Sequence, residues 1–185
     1  FDIDTIDDLL YQKEVIKTGL DMFEQLYGYR SKYFVPTNGP FNNTLEEDLF
    51  NAGIKYINTG KKQREPLGNA QYRVNTRFIG DKNQYNQIYI TRNCFFEPSS
   101  SGYEWPLNTD WIGNCMKEIE IAFRWNKPAV ISSHRVNYIG YLHPENRERS
   151  LKQLSELFSK MLKKWPNIEF MTSVELGDLI ASSKK

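Results

Sequence analysis

Apolar positions along the first thirty residues recur with a helical period. Ile6, Leu9, Leu10, Ile16, Leu20 and Phe23 fall at the spacing that predicts a long amphipathic helix from Asp4 to Tyr27, capped at Asp4 or Thr5 and stopped by Gly28. The short apolar run KYFVP (32–36) reads as a strand, and the loop TNGPFNN leads into Thr44-x-x-Glu47, a capping-box pattern for a second helix ending at Gly53. IKYIN follows as a strand. Residues 61–87 are more polar; YRVNTRFI and YNQIYIT flank the turn-like GDKNQ, which predicts an inserted antiparallel hairpin.

The alternation then resumes. DWIGNCMKEIEIAFRW reads as a helix with Asp110 at its start, AVISSH as a buried strand, and residues 145–164 as a helix carrying Leu151, Leu154, Leu157, Phe158, Met161 and Leu162 on one stripe. IEFMT predicts a further strand before a short last helix. Helices alternating with short apolar strands argue for βαβ units and a parallel sheet or barrel. The four or five core strands are fewer than the eight of a complete (β/α) barrel, so the pattern fits the later part of one, in a single domain spanning 1–185.

Composition narrows the functional classes. Lysine plus arginine (24) nearly balances aspartate plus glutamate (23), which gives no electrostatic footprint for nucleic acid or an anionic membrane. No apolar run approaches the roughly 20 residues of a membrane span, and the start FDIDTIDD lacks the charged and apolar regions of a signal peptide, so the chain is expected to be soluble, with no compartment indicated. Cys94 and Cys115 occupy dissimilar contexts and predict two free thiols. Aromatic residues at 14% suit a heavy core or a surface that stacks on flat ligands.

The candidate chemistry centres on one of two histidines. His134 and Arg135 follow the apolar run AVISS, at the carboxyl end of a predicted parallel strand, where barrels and open sheets place their ligands. A histidine bonded to a neighbouring loop is the structural alternative. His143 lies in a loop before a helix and predicts a surface role. Asp110 at a helix start reads first as an N-terminal cap. In TRNCFFEPS, Arg92 and Glu97 bracket an apolar Cys-Phe-Phe, as polar ends of a strand that project into a cleft or pair with each other. The acidic FDIDTIDD is explained by negative residues in a first helical turn rather than by metal binding.

FVPTNG, NTDWIGNC, AVISSHR and the closing IEFMTSVELGDLI, in that order and spacing, resemble the second half of the polysaccharide deacetylase family of carbohydrate esterases. The resemblance covers nearly the whole chain apart from residues 60–90. It implies an α/β fold: a partial, distorted (β/α) barrel with an inserted β-hairpin, its first strands missing from this chain. It also implies metal-dependent hydrolysis of N- or O-acetyl groups on a carbohydrate, in which a divalent, zinc-like ion held by an aspartate and two histidines activates water and a histidine protonates the leaving group.

Position by position, Pro36 and Gly39 fall in the third motif of that family, whose arginine is replaced here by Val35. Asp110 and Trp111 match the fourth, and Ser133-His134 the fifth, with Ser133 in place of leucine. The resemblance makes His134 the general acid and Asp110 a second catalytic residue, with Arg92, Glu97, Trp111 and Arg135 as substrate-binding candidates. The Asp-Asp and His-x-x-x-His segments that supply the metal ligands and base have no counterpart here. The expectation is therefore a fragment that binds no catalytic metal by itself and is inactive alone, with a carbohydrate as partner and an exposed sheet edge open to self-association. The alternative from a different class is a non-catalytic carbohydrate-binding α/β module.

Overall fold

The computed structural model describes residues 3–37, 39–101 and 106–183. Asn38 of FVPTNG, residues 102–105 of the aromatic loop, and the first two residues of the acidic start lie outside the described residues. The chain forms two compact units, residues 1–91 with 171–185, and residues 92–170.

The first unit opens with helix α1 (Ile6–Tyr27). Thr5 caps it in a reciprocal box: its side chain accepts from the Asp8 amide while the Asp8 carboxylate accepts from the Thr5 amide at 2.8 Å. Gly28 ends it at φ 75°, the left-handed conformation that glycine adopts without steric cost. The buried face is narrower than the periodicity predicts, since Ile16 and Leu20 are buried but Ile6 and Leu10 are exposed.

Three strands, β1 (Tyr33–Phe34), β2 (Tyr56–Thr59) and β5 (Ile88–Thr91), pair in parallel in the order β1-β2-β5. Helix α2 (Leu45–Asn51) connects β1 to β2, as a parallel pairing requires. The capping box expected at Thr44 does not form. Thr44 instead donates its amide and hydroxyl to Asn42 Oδ1, because the chain enters the helix through a tight turn that uses the Thr44 side chain as donor. Ile16, Leu20, Phe41, Leu45, Leu49, Ile54, Ile57 and Tyr89 form the core of this unit. Helix α5 (Ser173–Ser182), capped by Thr172 and Glu175 in a second box, packs on β2 and β5.

The hairpin exists, but not where the sequence places it. It is formed by β3 (Lys62–Gly68) and β4 (Gln71–Thr76), turning through Asn69 and Ala70, both at positive φ. The segment expected as its second strand is β5, which joins the parallel sheet beside β2. Burial explains the exchange: all four β5 residues are buried, as in a strand covered on both faces, whereas β4 is almost wholly exposed. GDKNQ remains a turn, held by Asn83 Oδ1, which accepts from the Tyr85 and Gln87 amides.

The second unit is a parallel pair, β6 (Cys94–Phe95) and β7 (Ile131–Ser132), connected by helix α3 (Trp111–Arg124) and followed by α4 (Pro144–Lys164). Its core joins Cys94, Phe96, Trp111, Ile112, Cys115, Ile119, Leu157 and Met161. The predicted α4 stripe divides: Leu157 and Met161 are buried, while Leu151, Phe158 and Leu162 flank them in solvent. AVISSH contributes just Ile131 and Ser132 as strand, and IEFMT forms none. In that run Ile168 packs partly buried against the core of the second unit, while Phe170 and Met171 are exposed.

The architecture is thus mixed α/β, with helices and small sheets. Among the described residues no sheet closes into a barrel.

Candidate functional site

The parallel pairing of β6 and β7 builds the site. Cys94 sits beside Ile131 and Phe95 beside Ser132, so the residues just past both carboxyl ends emerge side by side. Those residues are Glu97 on one strand and Ser133 and His134 on the other. The Phe96 amide extends the pairing by donating to the Ser132 carbonyl at 2.9 Å.

His134 Nδ1 lies 2.7 Å from Glu97 Oε1, and the His134 backbone amide donates to Glu97 Oε2 at 3.2 Å. The two partners differ sharply in exposure: the Glu97 side chain is 11% exposed and the His134 side chain 65%. A buried carboxylate thus grips one nitrogen of an imidazole whose ring otherwise faces solvent. A carboxylate facing Nδ1 favours the tautomer with the proton there, which leaves Nε2 to meet a ligand.

Asn137 completes the cluster. It lies in the 3₁₀ turn Arg135–Tyr138 and is fully buried. Its Nδ2 donates to Glu97 Oε2 at 2.7 Å and to the His134 carbonyl at 2.8 Å, while its Oδ1 accepts from the Ser99 amide at 3.0 Å and the Ser99 hydroxyl at 2.7 Å. Next to it the Ser133 and Tyr138 hydroxyls are 2.7 Å apart. Burial raises the Tyr138 phenol pKa above its ordinary value; the bond to Ser133 opposes that shift and the Glu97 charge adds to it.

The remaining candidates take other places. Glu97 bonds His134, where the sequence suggested pairing with Arg92, and Arg92 Nη1 donates to Ser132 Oγ at 3.0 Å. Asp110 caps α3, accepting from the Gly113 amide at 2.8 Å. Trp111 is buried in the core of the unit and donates its indole N–H to Ser101 Oγ at 2.8 Å. Arg135 is exposed in the turn after His134. His143 is exposed, its Nδ1 3.4 Å from Glu145.

Asn137, Ser99 and Tyr138 were not singled out from the sequence. The sequence reads this stretch as a polar loop; the 3₁₀ turn found in the structure, which places residues three apart over one another, brings Asn137 back to His134. The partner Ser99 lies 38 positions away and carries no local signal.

Metal-ligating chemistry finds no cradle in these residues. Among the described residues no group of three or more His, Cys, Asp or Glu side chains converges. Both cysteines are fully buried, and burial, with the Glu118 charge adding to it, pushes both thiols up to about 12, the opposite of what a thiolate ligand needs. Comparison with protein-family models, with curated proteins and with solved structures finds no match.

Proposed function

We propose that the His134–Glu97 pair is the proton-transfer element of a carbohydrate deacetylase of the polysaccharide deacetylase type, acting on N- or O-acetyl groups of a sugar. One observation carries the reading. An exposed imidazole, directly past the carboxyl end of a parallel strand, has its Nδ1 bound to a buried carboxylate 2.7 Å away. This is the arrangement a general acid requires: a fixed ring, a defined nitrogen aimed at solvent, and a carboxylate bound to the other nitrogen.

In the proposed reaction, water adds to the acetyl carbonyl and the bond from the carbonyl carbon to the sugar nitrogen or oxygen breaks. The protonated His134 gives its Nε2 proton to the departing atom, leaving acetate and a free amine or hydroxyl; the two protons of the added water pass to solvent, and one from solvent restores His134. The barrel-type fold belongs to the same proposal, supported by two helix-connected parallel strand pairs and by a hairpin inserted between β2 and β5. For the divalent ion that the resemblance implies, no group of three or more His, Cys, Asp or Glu side chains gathers among the described residues. The proposal therefore assigns this chain the acid and its supports, and no step through a metal.

A second reading, a carbohydrate-binding module without chemistry, is favoured by Tyr141, which stands 98% exposed in the loop after His134 and offers a flat face to a sugar ring.

The test is acetate release from N-acetylated and O-acetylated oligosaccharides by the full-length protein. Loss of a general acid lowers turnover by about 10²–10⁴-fold, so His134→Ala is expected to fall in that range with sugar affinity retained. Turnover unchanged in His134→Ala rejects the proposal. Sugar binding with no acetate release, insensitive to His134→Ala but lost in Tyr141→Ala, supports the binding module instead.

A further inference from the structure

We propose that Asn137 is a positioning residue, whose buried carboxamide holds Glu97 so that His134 keeps its proton on Nδ1 and presents Nε2 outward. The inference deepens the reading of His134 as the proton-transferring group and rests on it for its catalytic meaning.

The argument begins with how Glu97 is held. Left to itself, a carboxylate at a strand end rotates freely and accepts from any nearby donor. Here Oε2 is occupied by Asn137 Nδ2 at 2.7 Å and by the His134 amide at 3.2 Å, which turns Oε1 toward the imidazole. Asn137 is itself fixed from the opposite side, since Ser99 donates both its amide and its hydroxyl to Oδ1. Because Ser99 lies in the 3₁₀ turn Pro98–Ser100, directly after Glu97, and Asn137 in the turn after His134, one side chain clamps the two strand ends together.

The carboxamide is suited to this task because it donates on one side and accepts on the other. A carboxylate there would have no proton to give Glu97, and an alanine would leave the His134 amide as the remaining donor to Oε2 and take the acceptor from the Ser99 amide and hydroxyl. A residue buried for packing alone would not need that polarity. The Asn137 backbone amide closes the 3₁₀ turn on the His134 carbonyl at 3.0 Å, and Nδ2 adds a second bond to the same carbonyl at 2.8 Å, which ties the clamp to the backbone of His134.

The experiment reads the ring without substrate, so its failure is distinct from failure of the deacetylase reading. Nitrogen-detected NMR of the ¹⁵N-histidine-labelled 185-residue protein separates the two neutral tautomers, with exposed His143 as the internal reference. In the unmodified protein, His134 is expected to be almost wholly Nδ1–H, with a slowly exchanging proton, and His143 mixed. In Asn137→Asp, with the fold retained by circular dichroism, His134 is expected to move to a mixture resembling His143. A His134 tautomer that is already mixed in the unmodified protein, or that stays unchanged in folded Asn137→Asp, overturns the proposal. If Asn137→Asp does not fold, Ser99→Ala serves: a partial shift toward the mixture sustains the clamp, and an unchanged tautomer overturns it.

Discussion

Gly177 of α5 lies flat against the ring of Tyr56 in β2. A Cβ built on it would come within 2.6 Å of Tyr56 Cδ1 and Cε1. The Tyr56 hydroxyl donates to Asp178, the next residue of the same helix, and the tyrosine is itself buried. The ring has nowhere to retreat, so the helix can seat on the sheet only through a residue without a side chain.

Gly177→Ala is accordingly expected to destabilise the protein. Alanine favours a helix over glycine by about 1 kcal/mol, but overpacking a rigid contact costs about 1–3 kcal/mol, and the clash wins. Urea unfolding monitored by tyrosine fluorescence checks the sign. A Gly177→Ala protein as stable as the parent or more so would show that the Tyr56 contact yields.

Asp110 bonds the Gly113 amide at the start of α3, and its replacement separates capping from catalysis. Asp110→Ala should lower stability by about 1 kcal/mol, the usual cost of losing a cap, and Asp110→Asn by much less, since asparagine caps as well. Both should retain acetate release in the assay used for His134. A hundredfold loss of turnover in stable Asp110→Asn would instead assign this carboxylate to the chemistry.

Glu46 ties the hairpin side of the first unit to its core. The buried Tyr89 hydroxyl donates to it, and Arg77 approaches it to 4.0 Å while lying over the Tyr89 ring. Burial raises the Glu46 pKa above its ordinary value of 4.5, against the opposing bond from Tyr89 and charge of Arg77. A carboxyl raised on folding contributes stability that is full below its unfolded pKa and is lost as pH rises through the folded value. The parent is therefore expected to lose, relative to Glu46→Gln, some stability as pH climbs from about 4.5 toward neutrality. Glu118 is raised by burial as well, so the difference between the two proteins isolates Glu46. Parallel denaturation curves across that window, with a constant offset, would contradict the assignment.

What the sequence determined by itself is local. The span and ends of α1, the Asp110 cap of α3, the extent of α4 and the presence of a last helix follow from residues within a few positions of each other. Helix periodicity and capping are short-range interactions, so they are written where they act. Position of His134 at a strand end was legible in the same way, from the change of AVIS into polar residues.

Tertiary structure decided the pairings. β1, β6 and β7 are two residues long, too short for a periodic signal, and exist because of hydrogen bonds to distant partners. The hairpin moved to β3 and β4 because the full burial of β5 suits the interior of a parallel sheet, and burial on both faces is a property of neighbours, not of IYIT alone. The same holds for the site. Glu97 and His134 stand 37 positions apart and meet because two parallel strands end together, and the Asn137 clamp forms because each strand then enters a 3₁₀ turn. No local pattern could encode that meeting, since the partner of each group is chosen by the register of strands it does not belong to.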